Sequence, residues 1–471
     1  MSNTDQDLFF TLLKEHEIEF IDFRFTDSVG KWHHTSYFVD AINETNLRDG
    51  LPFDGSSIAG WKEVNESDML LIPDIKTAFV DPFSASPTLV VYCDVFDPST
   101  KSNYTRDPRS TAKRAEAYLE TTKIANKAVF GPEIEFFIFD DIRFKVSSNK
   151  ISVEIDSEEG PYNSDKRYEA GNNGHRPKIK GGYFPVQPID SLSDIRAEML
   201  LQLKSIGVKP IVHHHEVAPG QCELSFVFDT LTNTADNVQK CKYVIQNVAH
   251  SYAKTASFMP KPIKDDNGSG MHLHQSLWQD ANPLFNGNEY SGLSELCLYY
   301  IGGIIKHARA ISAFSNSTTN SYKRLVPCFE APTLLAYSAS NRSAAIRIPY
   351  VSSKEATRIE VRFPDPSSNP YYTFAAMLMA GLDGIENKIH PGQAFEENLY
   401  NISQDKISSI LSTPTSLRES LQALKDDRDF LKKGNVFSDE QLDAYIELKM
   451  KEINEVERTP HPIEFLLYYS A

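Results

Sequence analysis

Asn267 to Leu277, NGSGMHLHQSL, sets His272, His274 and Ser276 at alternate positions directly behind a Gly/Ser turn. In an extended chain alternate side chains share a face. The run therefore aims two imidazoles and a hydroxyl one way, and Leu273, Gln275 and Leu277 the other. Two further runs repeat the pattern: GPEIEFFIF sets Glu133 and Glu135 opposite Ile134 and Phe136, and RIEVRF sets Glu360 and Arg362 opposite Ile359, Val361 and Phe363. Glu216 directly follows His213, His214 and His215, and Glu223 opens ELSFVF. Glutamate is depleted in strands, and carboxylates crowded on one face raise one another's pKa unless cations neutralise them. Oxygen donors with one or two imidazoles suit Mg²⁺ or Mn²⁺. Within the triple histidine only alternate residues can share a face, so at most one functional group is expected there, with packing or hydrogen bonding for the rest.

Arg324, Arg342, Arg347, Arg358 and Arg362 cluster in the C-terminal half. Guanidinium groups bind carboxylate and phosphate oxygens in bidentate fashion and neutralise the charge that develops in phosphoryl transfer. A surface salt bridge would account for any one of them alone. Together with carboxylate-held metal they point to ATP-dependent phosphoryl transfer onto an anionic substrate. The chain carries neither a Walker A motif nor a Rossmann fingerprint, so the nucleotide must bind in another way. Two loops stand beside these runs. DGSSIAGW (54–61) offers an Asp and two Ser in a Gly-rich turn, and NSYKRLVPCFEAP (320–332) brackets Glu330 between prolines, as a lid with constrained ends would.

These side chains need a scaffold. Apolar spacing predicts helices at 4–16, 110–123, 193–206, 235–255, 293–314, 370–389 and 439–457. Strand patterns fall at 18–25, 32–39, 70–73 and 88–96, and the runs named above supply the rest. The reading is α+β: a small sheet-rich N-terminal unit over 1–104, then a larger unit over 105–471 with helices outside an antiparallel sheet whose inner face is polar. The Asn-, Gly- and charge-rich stretch 146–182 reads as an excursion loop or an interface element.

The totals fit. The 471 residues are 41% hydrophobic and 24% charged, enough for a large core in two or three units. A net charge of −16 argues against nonspecific nucleic-acid or anionic-membrane binding. The start, MSNTDQDLFF, has no secretory pattern, and no apolar run approaches a membrane span. The five dispersed cysteines read as reduced thiols, so a cytoplasmic location is expected.

DGSSIAGW, NESDM, KGGYFPVQP, HHHEVAPGQCE, NGSGMHLHQS, NSYKRLVP, NRSAAIRIP, RIEVRFPDPSSNPY and HPIEFLLYYS occur in this order. The set resembles the glutamine synthetase family in its long bacterial class I form, over nearly the whole chain. The resemblance implies an N-terminal β-grasp domain, a catalytic domain with a funnel-shaped site, and ATP-dependent ligation of ammonia to glutamate through γ-glutamyl phosphate. It implies one metal on Glu135, Glu216 and Glu223, and a second on Glu133, His272 and Glu360. Asn267, Gly268 and Arg324 would bind glutamate, and Arg342 and Arg362 would steady the phosphoryl group. His274, Ser276, Arg347 and Arg358 would lie along the ATP. Asp54 and Ser57 of the adjoining subunit, with Tyr183 and Glu216, would hold ammonium, and Glu330 would close the site. The resemblance further implies a dodecamer of two hexameric rings, a C-terminal tail (460–471) docked in the opposite ring, and adenylylation by an adenylyltransferase at Tyr400. The residues after Tyr400, and the spacing around Lys354, depart from the family pattern. A γ-glutamyl-polyamine ligase of the same fold, or an inactive structural homologue, are the alternatives; the presence of Asp54, Ser57, Tyr183 and Glu330 favours ammonia over a polyamine.

Overall fold

A computed structural model describes residues 3–168, 171–172, 174–327, 329–399 and 410–469. Tyr400 lies outside the described residues. The N-terminal strands are β1 (Phe20–Thr26), β2 (Trp32–Phe38), β3 (Leu51–Asp54), β4 (Asp68–Val80), β5 (Thr88–Asp97) and the short β6 (Ser102–Asn103). They form a sheet in the order β2-β1-β5-β4-β3, with β6 on β5 and β1 parallel to β5. Alternation drives it: Ile21, Phe23 and Phe25 point into a core shared with Met69, Leu71, Leu89 and Val91, closed by Phe9 of the helix Asn3–Glu15.

The second sheet is built from β7 (Lys127–Phe139), β10 (Pro210–His215), β11 (Gln221–Phe226), β14 (Met271–Gln279), β16 (Tyr337–Ala339), β17 (Ile346–Ile348) and β18 (Ile359–Val361). Short strands β12 (Asp229–Thr230), β13 (Thr255–Ser257) and β15 (Asn282–Pro283) attach to its flanks. The order is β10-β11-β7-β14-β18-β17-β16. Pairing is antiparallel throughout except β16 with β17, a parallel pair that the expected all-antiparallel sheet did not foresee. Ile134, Phe136, Leu224, Leu273 and Val361 face a core shared with the helices Pro108–Thr122, Leu231–Ser251, Glu295–Ser315 and Pro370–Glu386. The alternate residues are left to the opposite face.

The expected helices are all present with small shifts of their ends, and the helix Leu417–Asp426 is an addition. The stretch expected as an excursion loop from 146 instead begins inside a hairpin, β8 (Asp141–Ser147) with β9 (Lys150–Asp156). Its strands alternate Ile142, Phe144 and Val146, and Ile151, Val153 and Ile155, with polar residues, so the two-residue period is present in the sequence. The two sheets are joined through Arg109, buried and bonded to Asp74 and Asp94 of the first sheet at 2.9 and 2.8 Å and to Asp236 of the helix Leu231–Ser251 at 2.9 Å. No described helix is long and apolar enough to cross a membrane.

Candidate active site

Strand register gathers the acidic side chains. Glu133 on β7 lies opposite His272 on β14, Glu135 opposite Glu223 on β11, and Glu360 on β18 opposite both His274 and Arg347. A cavity of about 280 Å³ opens over this face. Glu133, Glu135, Glu216, Glu223, His272 and Glu360 line it, together with Tyr183, Asn267, Gly268, Arg324, Glu330, Arg342, Arg347 and Arg362. A second cavity of about 440 Å³ shares Glu133 and is walled by His274, Ser276 and Arg358, with apolar Val129, Ile211, Phe226 and Phe228. Asp54, Ser57 and Lys354 line neither cavity. Asp54 is exposed at the end of β3, where it accepts hydrogen bonds from Ser56 Oγ at 2.6 Å and Ser57 Oγ at 2.8 Å.

Contacts among the acids are close. Glu133 meets His274 Nε2 at 2.9 Å and His272 Nδ1 at 3.4 Å. Glu135 accepts from Gly270 N at 2.8 Å and from Gln221 Nε2 at 3.1 Å. Glu360 accepts from Arg347 at 2.5 Å and also from Arg362. Among the described residues three groups have ligand atoms within 4.8 Å of one another: Glu133–His272–Glu360, Glu135–Glu223–His272 and His214–Glu216–Glu223. The first is the expected second-metal set. The expected first-metal set is split between the other two, with His214 added.

Electrostatics separate these carboxylates. Burial, reinforced by the charges of Glu135 and Glu223, pushes Glu216 up to about 9. Burial and the neighbouring Glu133, Glu135 and Glu360 raise Glu223 well above the usual carboxylate range. Burial opposes ionisation at Glu133 as well, but bonds from His272 and His274 hold it well below its ordinary value. At Glu360 the Arg362 and His272 charges outweigh burial and bring it to about 2. A mainly carboxylate rim with the imidazoles of His272 and His214, in which Glu216 and Glu223 are kept from ionising by burial and by their acidic neighbours, is the donor chemistry of Mg²⁺ or Mn²⁺, and a bound cation would relieve that repulsion. The residues present therefore fit divalent metal.

Arg324 is fixed in place: its guanidinium donates to the carbonyls of Phe363, Pro364 and Arg362 at 2.9, 3.1 and 3.1 Å. Backbone passes close beside it. A Cβ on Gly268 would sit 2.2 Å from the Pro260 carbonyl, and one on Gly270 would sit 2.5 Å from Arg324 Nη2, so both positions need glycine. On β14, Arg358 Nε donates to His274 Nδ1 at 3.2 Å, while Gln275 points the other way to Tyr300 and Met377.

Some site residues escaped sequence reasoning. His214 bridges toward Glu223 at 3.0 Å and Glu216 at 3.6 Å. The available signal was its spacing, two residues before Glu216. His215 instead bonds Glu159 at 2.9 Å, and His213 accepts from Arg196 at 3.3 Å. Gln221 and Phe329 also line the first cavity, and Trp278 continues the His272–His274–Ser276 alternation into the second.

Comparison with known proteins agrees with this geometry. Residues 17–98 match the family described as "Glutamine synthetase, beta-Grasp domain" and residues 105–468 match "Glutamine synthetase, catalytic domain". The chain is 60% identical over 462 residues to the glutamine synthetase of Azospirillum brasilense, covering 98% of each chain. It is 58% identical, with the same coverage, to that of Escherichia coli strain K12. The cryo-EM structure of Plasmodium falciparum glutamine synthetase superposes with a TM-score of 0.91 at 29% identity, over 100% of this chain and 99% of that one. The sheet-borne acids, the arginine-rimmed cavity and these matches lead to one conclusion: the chain belongs to the glutamine synthetase family.

Proposed function

We propose that this chain ligates ammonia to L-glutamate at the expense of ATP, with the residues above in the following roles. The observation that carries the reading is the register that brings Glu133, Glu135, Glu223, His272 and Glu360 to one cavity beside Arg342 and Arg362. Glu135, Glu216 and Glu223, with His214 beside them, would hold one Mg²⁺ or Mn²⁺, and Glu133, His272 and Glu360 would hold the other. Bound metal supplies positive charge to the phosphate oxygens.

Arg324, with the backbone at Asn267 and Gly268, seats the glutamate head group and leaves the γ-carboxylate toward the acids. His274, Ser276, Arg347 and Arg358 align the nucleotide, and the apolar wall of the second cavity suits a planar base. A γ-carboxylate oxygen attacks the terminal phosphorus, and the bond to the ADP oxygen breaks. Arg342 and Arg362 balance the charge spread over the transferring group. The γ-carbon now carries a leaving group. Asp54 of the adjoining subunit, helped by Ser57, Tyr183 and Glu216, takes a proton from ammonium. The freed ammonia attacks the γ-carbon, phosphate departs, and Glu330 accepts the surplus proton while keeping water out.

The same reading covers the assembly: a β-grasp domain over 1–104, a catalytic domain over 105–471, and a cytoplasmic dodecamer of two hexameric rings. Exposed Phe465, Leu466, Leu467, Tyr468 and Tyr469 support a tail that docks in a partner. Adenylylation at Tyr400 by an adenylyltransferase remains part of the proposal. Phosphate release with glutamate and ATP tests the substrate assignment: ammonium should support it and putrescine should not, and a clear preference for putrescine would reject it.

A further inference from the structure

Three segments distant in sequence meet at one aromatic ring. The ammonium of Lys180 lies 3.8 Å from the ring centroid of Phe329, and that of Lys261 lies 3.9 Å from it. Lys180 precedes Tyr183 by three residues, and its backbone N–H donates to Asp266 Oδ1 at 3.2 Å. The same oxygen accepts the Asn267 N–H at 2.9 Å. Lys261 donates through Nζ to the Asp266 carbonyl, and its backbone exchanges bonds of 2.7 and 3.1 Å with the Asn320 side chain. Phe329 itself stands next to Glu330 in the proline-bracketed flap and lines the site cavity with it.

Two ammonium groups held against one another repel. Burial, and the charges of Lys180 and Arg324, bring Lys261 down to about 8 against the pull of Asp266 and Asp265. The negative face of the Phe329 ring offsets that repulsion. The flap needs an outside hold for a second reason. Glu330 has φ of 57°, a left-handed conformation that a residue with a Cβ does not favour and that neighbouring contacts must maintain.

We propose that Phe329 is a positioning residue: an aromatic latch that binds Lys180 and Lys261 at once, holding the flap down on the Asn267 loop and the Tyr183 segment and so placing Glu330 over the reacting carbon. The proposal rests on the reading of Glu330 as the closing residue. Without the latch the flap opens on the acyl phosphate. Water then bonds to the γ-carbon, the bond to the phosphate oxygen breaks with its electrons leaving on phosphate, and glutamate is regenerated with a proton lost to solvent. Alternatively glutamate's own amino nitrogen attacks the γ-carbon, expels phosphate and closes a five-membered lactam.

The test is the ratio of phosphate released to glutamine formed, measured on the assembled enzyme with saturating ATP, glutamate, ammonium and Mg²⁺. Misfolded protein contributes to neither product, so the ratio reports closure and not folding. Phe329→Leu should raise it about fivefold from unity. Phe329→Tyr, which keeps the ring face, should hold it near unity, and the double variant Lys180→Met/Lys261→Met should match Phe329→Leu. A coupled Phe329→Leu or a coupled double lysine variant would overturn the latch, as would a Tyr variant as leaky as Leu. Glu330→Ala separates the two levels. If it uncouples while Phe329→Leu does not, only the latch is lost; if both stay coupled, the closing role of Glu330 falls as well.

Discussion

Glu216 stands between two other acids with its proton held up to about 9, the clearest sign that this cavity waits for positive charge. Its folded-state pKa lies above the ordinary 4.5, so through that window the folded protein keeps a proton that the unfolded chain has lost. Unfolding free energy therefore falls as pH rises through the window. In EDTA the melting temperature should decline from about pH 5 to about pH 9, and saturating Mg²⁺ should flatten the slope by stabilising the ionised acid. Scanning calorimetry across pH checks this; an equal slope with and without Mg²⁺ would contradict it. Arg324 offers a second prediction at this scale. Its fork is pinned by three carbonyls, a geometry that an ammonium cannot copy. Arg324→Lys should raise the glutamate KM about 10- to 100-fold, the loss of a charged hydrogen bond, while ATP binding by equilibrium titration stays unchanged.

At the scale of the element, the alternating strands are where sequence and structure agree most closely. β7, β14 and β18 each carry apolar residues on one side and chemistry on the other, and pairing in register does the rest. That is why Glu133, Glu135, His272 and Glu360 were legible before any coordinates. Glu216, directly after β10, was legible from its place behind the histidines, whereas His214 was hidden inside a triplet whose facing depends on a register that no local signal fixes. The hairpin β8–β9 carries a strict alternation, Ile142, Phe144 and Val146 against Ile151, Val153 and Ile155, and was legible there despite the polar composition of the stretch it opens; the parallel β16–β17 pair was not, because three-residue strands carry too little pattern to declare a partner. The Arg109 junction was equally invisible, since its three aspartates come from β4, β5 and the helix Leu231–Ser251. It carries a prediction. Arg109→Met leaves those carboxylates without their buried partner and should cost about 3–5 kcal/mol in stability, read by denaturant titration. A loss below about 1 kcal/mol would show the junction to be dispensable.

For the whole molecule, the key residues are the ones the cavity lacks. Asp54 and Ser57 lie outside both cavities of the single chain, so the proposed ammonium site is complete only where a neighbouring subunit supplies them. Asp54→Ala and Glu330→Ala should each cut synthesis about 100-fold. Subunits of the two variants, dissociated and reassembled in equal amounts, should recover about one quarter of normal activity, the chance that both partners at a shared site are intact. No recovery would place Asp54 and Glu330 in the same subunit's chemistry. The central claim is that the acids and arginines of this one cavity pass a phosphoryl group to glutamate before nitrogen arrives. Glutamate labelled with ¹⁸O at both γ-oxygens tests it most directly. With ATP, ammonium and Mg²⁺, each phosphate released should carry one labelled oxygen, because the oxygen that attacks phosphorus leaves with it. Unlabelled phosphate formed alongside glutamine would contradict the account.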